Sequence, residues 1–272
     1  MAKAFVIDVA KCSGCYNCQL ACKDEHAEND WMPYAKSQPL TGQFWCRVTD
    51  HVQGTIPKVR IHYISRLCNH CRNAACMEAA KDGAVYRRDD GLVVIDPEKA
   101  VGQKQIVEAC PYGAVYWNES RNLPQKCTGC AHLLDHGHKL PRCVEACPTD
   151  ALMFGEEEEL ADYIEGATVL QPETGAFPRV YYRNIPGQFI AGTVYDPVEK
   201  EVIIGARCLL NSGGKRWETR TDEYGDFWFN DLPVGLFDLS IQVPGYEIKL
   251  FENLRTRQCV NLGDIPMERE KK

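Results

Sequence analysis

Residues 12–22, with the sequence CSGCYNCQLAC, place four cysteines within eleven positions of a 272-residue chain. Cysteines at successive Cys-x-x-Cys spacing form a loop that wraps a 4Fe–4S cubane, so that Cys12, Cys15 and Cys18 would reach three of its irons. Cys22 follows three residues later, and in two-cluster ferredoxins such a cysteine ligates the other cluster. This stretch therefore predicts an α+β, ferredoxin-like fold of the tandem bacterial 4Fe–4S type for the first part of the chain.

The cysteines that follow continue this spacing. Fifteen cysteines occur in the chain, and thirteen of them lie between residues 12 and 147. After the first run, those with ferredoxin-like spacing are Cys68, Cys71, Cys76, Cys110, Cys127, Cys130, Cys143 and Cys147. Zinc is the competing interpretation of a Cys-x-x-Cys pair, but it takes four ligands in two pairs and suits runs of three less well than an iron–sulfur cube. In a chain with reduced thiols, this density indicates metal binding rather than disulfides.

An internal repeat indicates how these cysteines pair. The segment CPYGAVY, residues 110–116, matches CPTDALMF, residues 147–154, in its Cys-Pro, its alanine and its apolar tail. A third copy, AKDGAVY at residues 80–86, has Ala80 where the cysteine would stand. Each copy ends a Cys-x-x-x-Cys half-unit, and the four half-units are Cys18/Cys22, Cys76/Ala80, Ile106/Cys110 and Cys143/Cys147.

Crossed ligation between paired half-units uses twelve cysteines and leaves none of them over. The first predicted cluster takes Cys12, Cys15, Cys18 and Cys147. The second predicted cluster takes Cys127, Cys130, Cys143 and Cys22. The third predicted cluster takes Cys68, Cys71, Cys76 and Cys110. A fourth cluster would need a cysteine loop within residues 97–107 and a cysteine at position 80, and both are absent. The sequence therefore predicts three 4Fe–4S clusters, derived from a four-cluster plan.

The other cysteines and several histidines have simpler interpretations. The cysteines left over are expected to be buried or free thiols: Cys46, Cys208 and Cys259. The histidine-containing segment 132–138 is expected to be a solvated insert, because no further ligand completes a metal site there; its histidines are His132, His136 and His138. His70 lies inside the second cysteine loop, where it either packs at the surface or forms a hydrogen bond that tunes a cluster potential.

Short strands and one long insertion surround the cysteines. Strands are predicted at Phe5–Asp8, Val85–Arg87, Val93–Asp96 and Val115–Asn118. Helices are predicted to start at Asp96-Pro97 and to cover the acidic run at 156–165. The insertion at residues 24–66 is rich in aromatic residues, which fits equally an interface with a partner and a small satellite core.

From about residue 188 the pattern changes to strand-like alternation. Seven candidate strands follow at short spacing: IAGTVYD, GARCLLN, RWETRTD, DFWFNDL, LFDLSIQV, YEIKLFEN and QCVNLGDI. Together they predict an all-β sandwich or barrel, and the DEYG and LPVG turns resemble prealbumin-like modules of the carboxypeptidase regulatory-like or Cna-B-like type. We expect a ferredoxin-type domain at 1–165, a proline-containing linker at 166–187 and a β-domain at 188–272 that docks or braces without chemistry of its own.

Composition excludes other classes of function. The net charge of −7 argues against nucleic acid as the partner. The chain has no run of about 18 apolar residues, so no membrane-spanning helix is expected. The N-terminus lacks the features of a signal peptide, which predicts a cytoplasmic protein, although export bound to a signal-bearing partner stays open.

With these motifs in view, residues 1 to about 155 resemble the ferredoxin-type iron–sulfur subunits of the dimethyl sulfoxide reductase family of molybdopterin enzymes. The segments that carry the resemblance are FVIDVAKC, DDGLVVIDPEKA, CPYGAVYWNE, QKCTGCAHLLD and FPRVYYRN. Such subunits usually bind four clusters with crossed ligation, and this chain departs from them at Ala80 and in the loop before Cys110. In this departure and in its added β-domain, the chain resembles the branch of the family whose catalytic subunits act on polyhydroxylated aromatic rings.

The resemblance implies a large partner subunit that holds a molybdenum bis(molybdopterin guanine dinucleotide) cofactor and performs the catalysis. This chain would then transfer electrons without being catalytic itself. Two alternatives stay open. The clusters and the β-domain could mainly brace a catalytic subunit whose reaction has no net redox change, or the chain could be a respiratory subunit that feeds a membrane quinol protein.

Overall fold

A computed structural model describes residues 2–270, which divide into two compact units. The first unit spans Met1–Asp50 and His62–Ile185, and the second spans His51–Ile61 and Pro186–Lys272. The helices of the described residues are α1 Asn17–His26, α2 Ala75–Glu78, α3 Gln105–Glu108, α4 Ala131–Asp135, α5 Arg142–Glu145 and α6 Ala161–Ile164. Short 3-10 turns cover Val9–Lys11 and Pro172–Thr174.

Nine strands lie between residues 2 and 185 of the described chain, and the second and third of them belong only in part to the first unit. The strands are β1 Lys3–Asp8, β2 Arg47–Thr55, β3 Lys58–Arg66, β4 Val85–Arg87, β5 Val93–Ile95, β6 Tyr116–Asn118, β7 Leu123–Gln125, β8 Leu152–Glu156 and β9 Val180–Arg183. All four predicted strands in this part of the chain are present, with bounds that agree to within three residues.

A three-stranded sheet with the order β8–β1–β9 forms the centre of the first unit. β1 occupies the middle, where it pairs antiparallel with β8 and parallel with β9. Its residues from Ala4 onward are buried on both faces, as the run of apolar residues in this strand requires. The sheet places the 3-10 turn and the first cysteine run directly after β1.

Two short β-hairpins of similar structure lie beside the cysteine runs in the sequence. β4 pairs antiparallel with β5, and β6 pairs antiparallel with β7. The strands β4, β6 and β8 each follow one copy of the internal repeat, as the sequence predicts. The repeated units therefore share local structure as well as sequence.

Both helices predicted outside the cysteine runs differ from the structure. Asp96 starts a turn, because its carboxylate accepts hydrogen bonds from the main-chain N–H groups of Glu98 and Lys99, and the chain reverses at Gly102, whose φ is +77°. In the acidic run, Glu156 ends β8 and forms an ion pair with Lys3 at 2.9 Å. Strand pairing thus continues into this run, and only the last turn forms helix α6.

The segment expected to be a linker contains β9 and belongs to the first unit as far as Ile185. The main-chain N–H of Thr168 donates to the carbonyl of Tyr182 at 2.9 Å, and the ring of Tyr182 is buried. The open edge of β1 explains this arrangement, because its main-chain donors and acceptors need partners once the strand is buried.

The second unit is built from strands in two sheets. Its strands are β10 Gln188–Asp196, β11 Glu201–Val202, β12 Arg207–Ser212, β13 Lys215–Arg220, β14 Asp226–Leu232, β15 Leu236–Gln242, β16 Lys249–Arg255 and β17 Val260–Pro266. In one sheet β10 pairs with β11, β14 and β17, and the other has the order β13–β12–β15–β16. Alternating side chains, among them Ile190, Leu210 and Phe227, form a common apolar core. The seven predicted strands are present, and β11 is a two-residue strand that periodicity does not reveal.

Candidate iron–sulfur centres

The first Cys-x-x-Cys pair in each of the three cysteine runs has the same backbone conformation. The residue two positions after the first cysteine is left-handed in each loop, with φ of +69° at Gly14, +42° at His70 and +65° at Gly129. The main-chain N–H of Gly129 donates to the sulfur of Cys127 at 3.3 Å, and that of His70 donates to Cys68 at 3.5 Å. Main-chain donors directed at a sulfur favour its thiolate form, which is the form that binds iron.

The Cys-Pro copies of the internal repeat also correspond in three dimensions. The main-chain N–H of Ala114 donates to Cys110 Sγ at 3.4 Å, and that of Ala151 donates to Cys147 Sγ at 3.3 Å. In both cases the donor lies four residues after the cysteine. The two copies of the sequence repeat therefore give their cysteine sulfurs the same main-chain hydrogen bond.

The twelve cysteines gather in three groups, and each group draws on distant parts of the chain. In the first thiol group, the groups that act electrostatically on the Cys12 thiol are Cys15, Cys18 and Cys147. In the second thiol group, the corresponding neighbours of Cys22 are Cys127, Cys130 and Cys143. In the third thiol group, the neighbours of Cys71 are Cys68, Cys76 and Cys110. Cys68 also acts on Cys127, so the second and third thiol groups are neighbours. Crossed pairing of the half-units predicts the same three sets as cluster ligands, and that assignment stays a prediction.

The three groups differ in exposure. All four cysteines of the second thiol group are buried. The third thiol group is half-buried, with Cys71 and Cys110 partly accessible. In the first thiol group Cys15 is exposed, and Cys12 and Cys147 are partly accessible. The first group therefore lies nearest to the surface of its unit.

The acid–base properties of these thiols fit a bound cationic core. Burial and the neighbouring cysteines raise the pKa of Cys127 and of Cys71 to about 12, and they raise the pKa of Cys22 well above its usual value. Several thiolates buried together are unfavourable unless positive charge compensates them, and coordination to iron supplies that charge. The donor set at each thiol group, four sulfurs with main-chain N–H donors, therefore fits a 4Fe–4S cluster.

The third thiol group lines a small pocket. Its walls include the four cysteines of the group together with Val93, Val115 and Lys126. Within residues 2–270, no set of three or more histidine, cysteine or acidic side chains is arranged to hold a single metal ion. A cubane takes one thiolate for each iron, so its ligands need not converge on one point.

Ala80 and Ile106, the half-unit positions that lack cysteine, lie in a packed apolar core. Ile106 is fully buried there, and Ala80 packs against the same cluster of side chains. The side chain of Gln103 accepts a hydrogen bond from the N–H of Lys81 at 2.8 Å and donates to the carbonyl of Lys99 at 2.8 Å. Side chains thus fill the region around these two positions.

Lys126 is a buried cation beside the third thiol group that the sequence interpretation does not include. Its Nζ donates to the carbonyl of Cys127 at 3.1 Å and also to the carbonyl of Val93. Burial alone would lower the pKa of Lys126, but the nearby thiolates of Cys68 and Cys76 raise it above its usual value. The sequence signal is a lysine that directly follows the fully buried strand β7.

An aromatic and histidine cluster lies beside the second thiol group. His26 is buried with its Nε2 4.0 Å from Cys130 Sγ, and its ring lies 4.7 Å from that of Trp45. His132 stacks on Trp31 at 4.3 Å. Trp45 and Trp31 come from the long insertion, and Trp45 belongs to the main apolar core of the unit, together with Cys22 and Cys127.

One expectation for the histidines is wrong, and one of the two interpretations of His70 is excluded. His132 is buried rather than solvated, because its Nε2 lies 2.9 Å from the carboxylate of Glu25, which also pairs with Arg142. His136 and His138 are exposed, as expected. His70 does not pack at the surface: it is buried, and its Nδ1 accepts a hydrogen bond from the main-chain N–H of Val93 at 3.1 Å.

The three remaining cysteines are free thiols, as expected. Cys208 is buried in the core of the second unit, whereas Cys259 is partly accessible. Cys46 is buried beside Cys18 and Cys143. A hydrogen bond from Cys46 is the main cause that lowers the pKa of the Cys18 thiol to about 6.

Fold and thiol groups together define an iron–sulfur protein with an added β-sandwich module. Residues 59–157 match the family described as 4Fe-4S dicluster domain, and residues 190–265 match the carboxypeptidase regulatory-like domain. The chain is 42% identical over 252 residues to the pyrogallol hydroxytransferase small subunit of Pelobacter acidigallici, covering 88% of this chain and 90% of that protein.

Further relatives belong to reductases. The chain is 38% identical over 157 residues to a component of the anaerobic dimethyl sulfoxide reductase of Escherichia coli, covering 57% of this chain and 74% of that component. It is 32% identical over 198 residues to a component of the tetrathionate reductase of Salmonella typhimurium, covering 69% of this chain and 74% of that component. The chain belongs to the family of iron–sulfur subunits of dimethyl sulfoxide reductase-type molybdenum enzymes, which confirms the resemblance drawn from its motifs. None of the helices in residues 2–270 has the length and apolar character needed to cross a membrane.

Proposed function

We propose that this chain holds three 4Fe–4S clusters and serves as the electron-transfer subunit of a heteromeric molybdenum enzyme that acts on hydroxylated aromatic compounds. The observation that carries the proposal is the gathering of twelve cysteines into three groups of four. When bound, each cluster would supply one-electron redox chemistry, with the thiolates of its group as ligands.

The relatives support the class of partner and of substrate. The small subunit from Pelobacter acidigallici, whose name specifies pyrogallol as substrate, is similar to both units of this chain. We therefore place the reaction on a large partner subunit that carries molybdenum bis(molybdopterin guanine dinucleotide), in the cytoplasm. The reaction class is hydroxyl transfer, hydroxylation or dehydroxylation of a phenolic ring.

Exposure favours the first thiol group as the point where electrons enter or leave this chain. Cys15 is exposed, whereas the second thiol group is wholly buried. Because electron transfer between proteins requires the redox centres to approach closely, an accessible group suits that role. The third thiol group, at intermediate depth, provides a further acceptor within the same unit.

Metal analysis of the anaerobically purified complex tests the proposal. We expect about twelve irons and as many acid-labile sulfides per chain, because each of three cubanes holds four. We also expect a co-purifying large subunit that contains molybdenum. About four irons per chain, or a large subunit with neither molybdenum nor tungsten, would contradict the proposal.

A second function has one observation in its favour: the relative from Pelobacter acidigallici is named a hydroxytransferase, and moving a hydroxyl group between rings needs no net redox change. In this alternative the chain braces the catalytic subunit. The variant Cys110→Ala separates the two functions. If the chain transfers electrons, turnover falls while the complex still assembles; if it braces, assembly with the large subunit falls first.

A further inference from the structure

The side chain of Lys126 is a buried charge whose function the assignment of ligands does not explain. It is 3% exposed, and its ammonium group donates to the main-chain carbonyls of Val93 and Cys127. No carboxylate among residues 2–270 forms a salt bridge with it. An ammonium group buried among carbonyl dipoles alone is strongly unfavourable, so a nearby negative charge is needed.

The third thiol group lies where that negative charge is required. Lys126 lines the same small pocket as Cys68, Cys71, Cys76 and Cys110. Lys126 thus lies beside the third group, and it directly precedes Cys127 of the second group, whose carbonyl it contacts. A 4Fe–4S cluster with four thiolates is an anion, and each added electron makes it more negative.

We infer that Lys126 is a positioning residue that acts as a fixed positive charge beside the third cluster, where it stabilises the negative charge of the cluster with its four thiolates and favours the reduced form. This inference rests on the proposed function, because it presupposes a cluster in the third thiol group. The second cluster would feel the same charge more weakly, since only Cys127 of its ligands lies beside Lys126.

Arg87 provides an internal comparison. Its guanidinium group donates to the carbonyl of Cys71 at 2.9 Å, but its side chain is only partly buried and Cys71 itself is partly accessible. Water screens a charge in that position far more than it screens the ammonium of Lys126. We therefore expect Arg87 to stabilise negative charge at the third thiol group less than Lys126 does.

Three substitutions separate the charge of Lys126 from its hydrogen bonds. Lys126→Gln removes the charge but keeps a donor for the two carbonyls, Lys126→Met removes both, and Lys126→Arg keeps the charge. Lys139→Met, which removes an exposed lysine of the third cysteine run, is the matched control. Each variant of the full-length chain, with its co-purified large subunit, is analysed for iron and titrated electrochemically under EPR detection.

At the wild-type midpoint potential of the third cluster, Lys126→Gln is expected to lower the ratio of reduced to oxidised cluster at least tenfold. That change corresponds to 59 mV for a one-electron couple. Lys126→Arg and Lys139→Met are expected to stay within threefold of wild type. Loss of about four irons from both neutral variants, with retention in Lys126→Arg, would equally support the inference.

Two results would overturn it. One is a fully loaded Lys126→Gln protein with an unchanged ratio, and the other is an equal shift or equal iron loss in the glutamine and arginine variants, which would assign the effect to side-chain shape. If wild type itself lacks the third cluster, the proposed function fails instead, and the iron content of wild type reports this separately.

Discussion

The third thiol group and the apolar core around Ile106 derive from the same repeat but have opposite contents. One contains four cysteines around a small pocket that the buried Lys126 also lines. The other contains Ile106 and Ala80 in close apolar packing, with Gln103 bonded to the surrounding main chain. Cys76 belongs to this same core, and Cys71 and Cys110 pack against it. The difference teaches that the positions without cysteine are occupied by apolar side chains that pack directly beside the third thiol group.

The largest effect should come from a ligand that borders both regions. Cys76→Ala removes one sulfur of the third thiol group, and we expect iron to fall from about twelve to about eight atoms per chain, because the cubane loses a ligand. Cys208→Ala, which removes a buried thiol of the second unit, is the control and should leave iron unchanged. An unaltered iron content in Cys76→Ala would contradict the assignment of the third thiol group.

Ile106→Ala tests how much the apolar packing around Ile106 stabilises the first unit. Ile106 is fully buried, so its truncation should leave a cavity and lower the free energy of unfolding by about 2–5 kcal/mol. Chemical denaturation of the oxidised protein, read by near-UV circular dichroism, measures the change. Val107→Ala, on the same short helix but partly exposed, should cost clearly less. An equal cost for the two variants would mean that Ile106 has no special place in this core.

Gln103→Ala should have a smaller effect on the same region. Its side chain forms part-buried hydrogen bonds with the main chain of Lys81 and Lys99, and the substitution removes these bonds. The expected loss is about 1–3 kcal/mol in the free energy of unfolding, with the iron content unchanged. Lys104→Ala, an exposed neighbour, is the control. A loss of iron in Gln103→Ala would show that this side chain supports the cluster rather than the core.

Local spacing accounts for what the sequence could predict about the thiol groups. A Cys-x-x-Cys loop fixes its own backbone, as the left-handed residues Gly14 and Gly129 demonstrate, and the repeat then relates distant loops. Lys126 could not be predicted in this way, because its burial depends on Val93, 33 residues away. The same applies to β9, whose place beside β1 depends on pairing across most of the first unit. Long-range packing, unlike spacing, leaves no periodic pattern in the sequence.

The smallest effect is expected where cysteines are added rather than removed. The double variant Ala80→Cys, Ile106→Cys supplies two thiols to the filled region, but a cubane needs four, together with the space that side chains now occupy. We therefore expect iron to stay at about twelve atoms per chain, measured after anaerobic reconstitution with iron and sulfide. Ala79→Cys is the matched control for a thiol added beside the same repeat. A gain of about four irons in the double variant, but not in Ala79→Cys, would contradict this expectation. It would mean that the region around Ile106 can still hold a fourth cluster once cysteines are supplied.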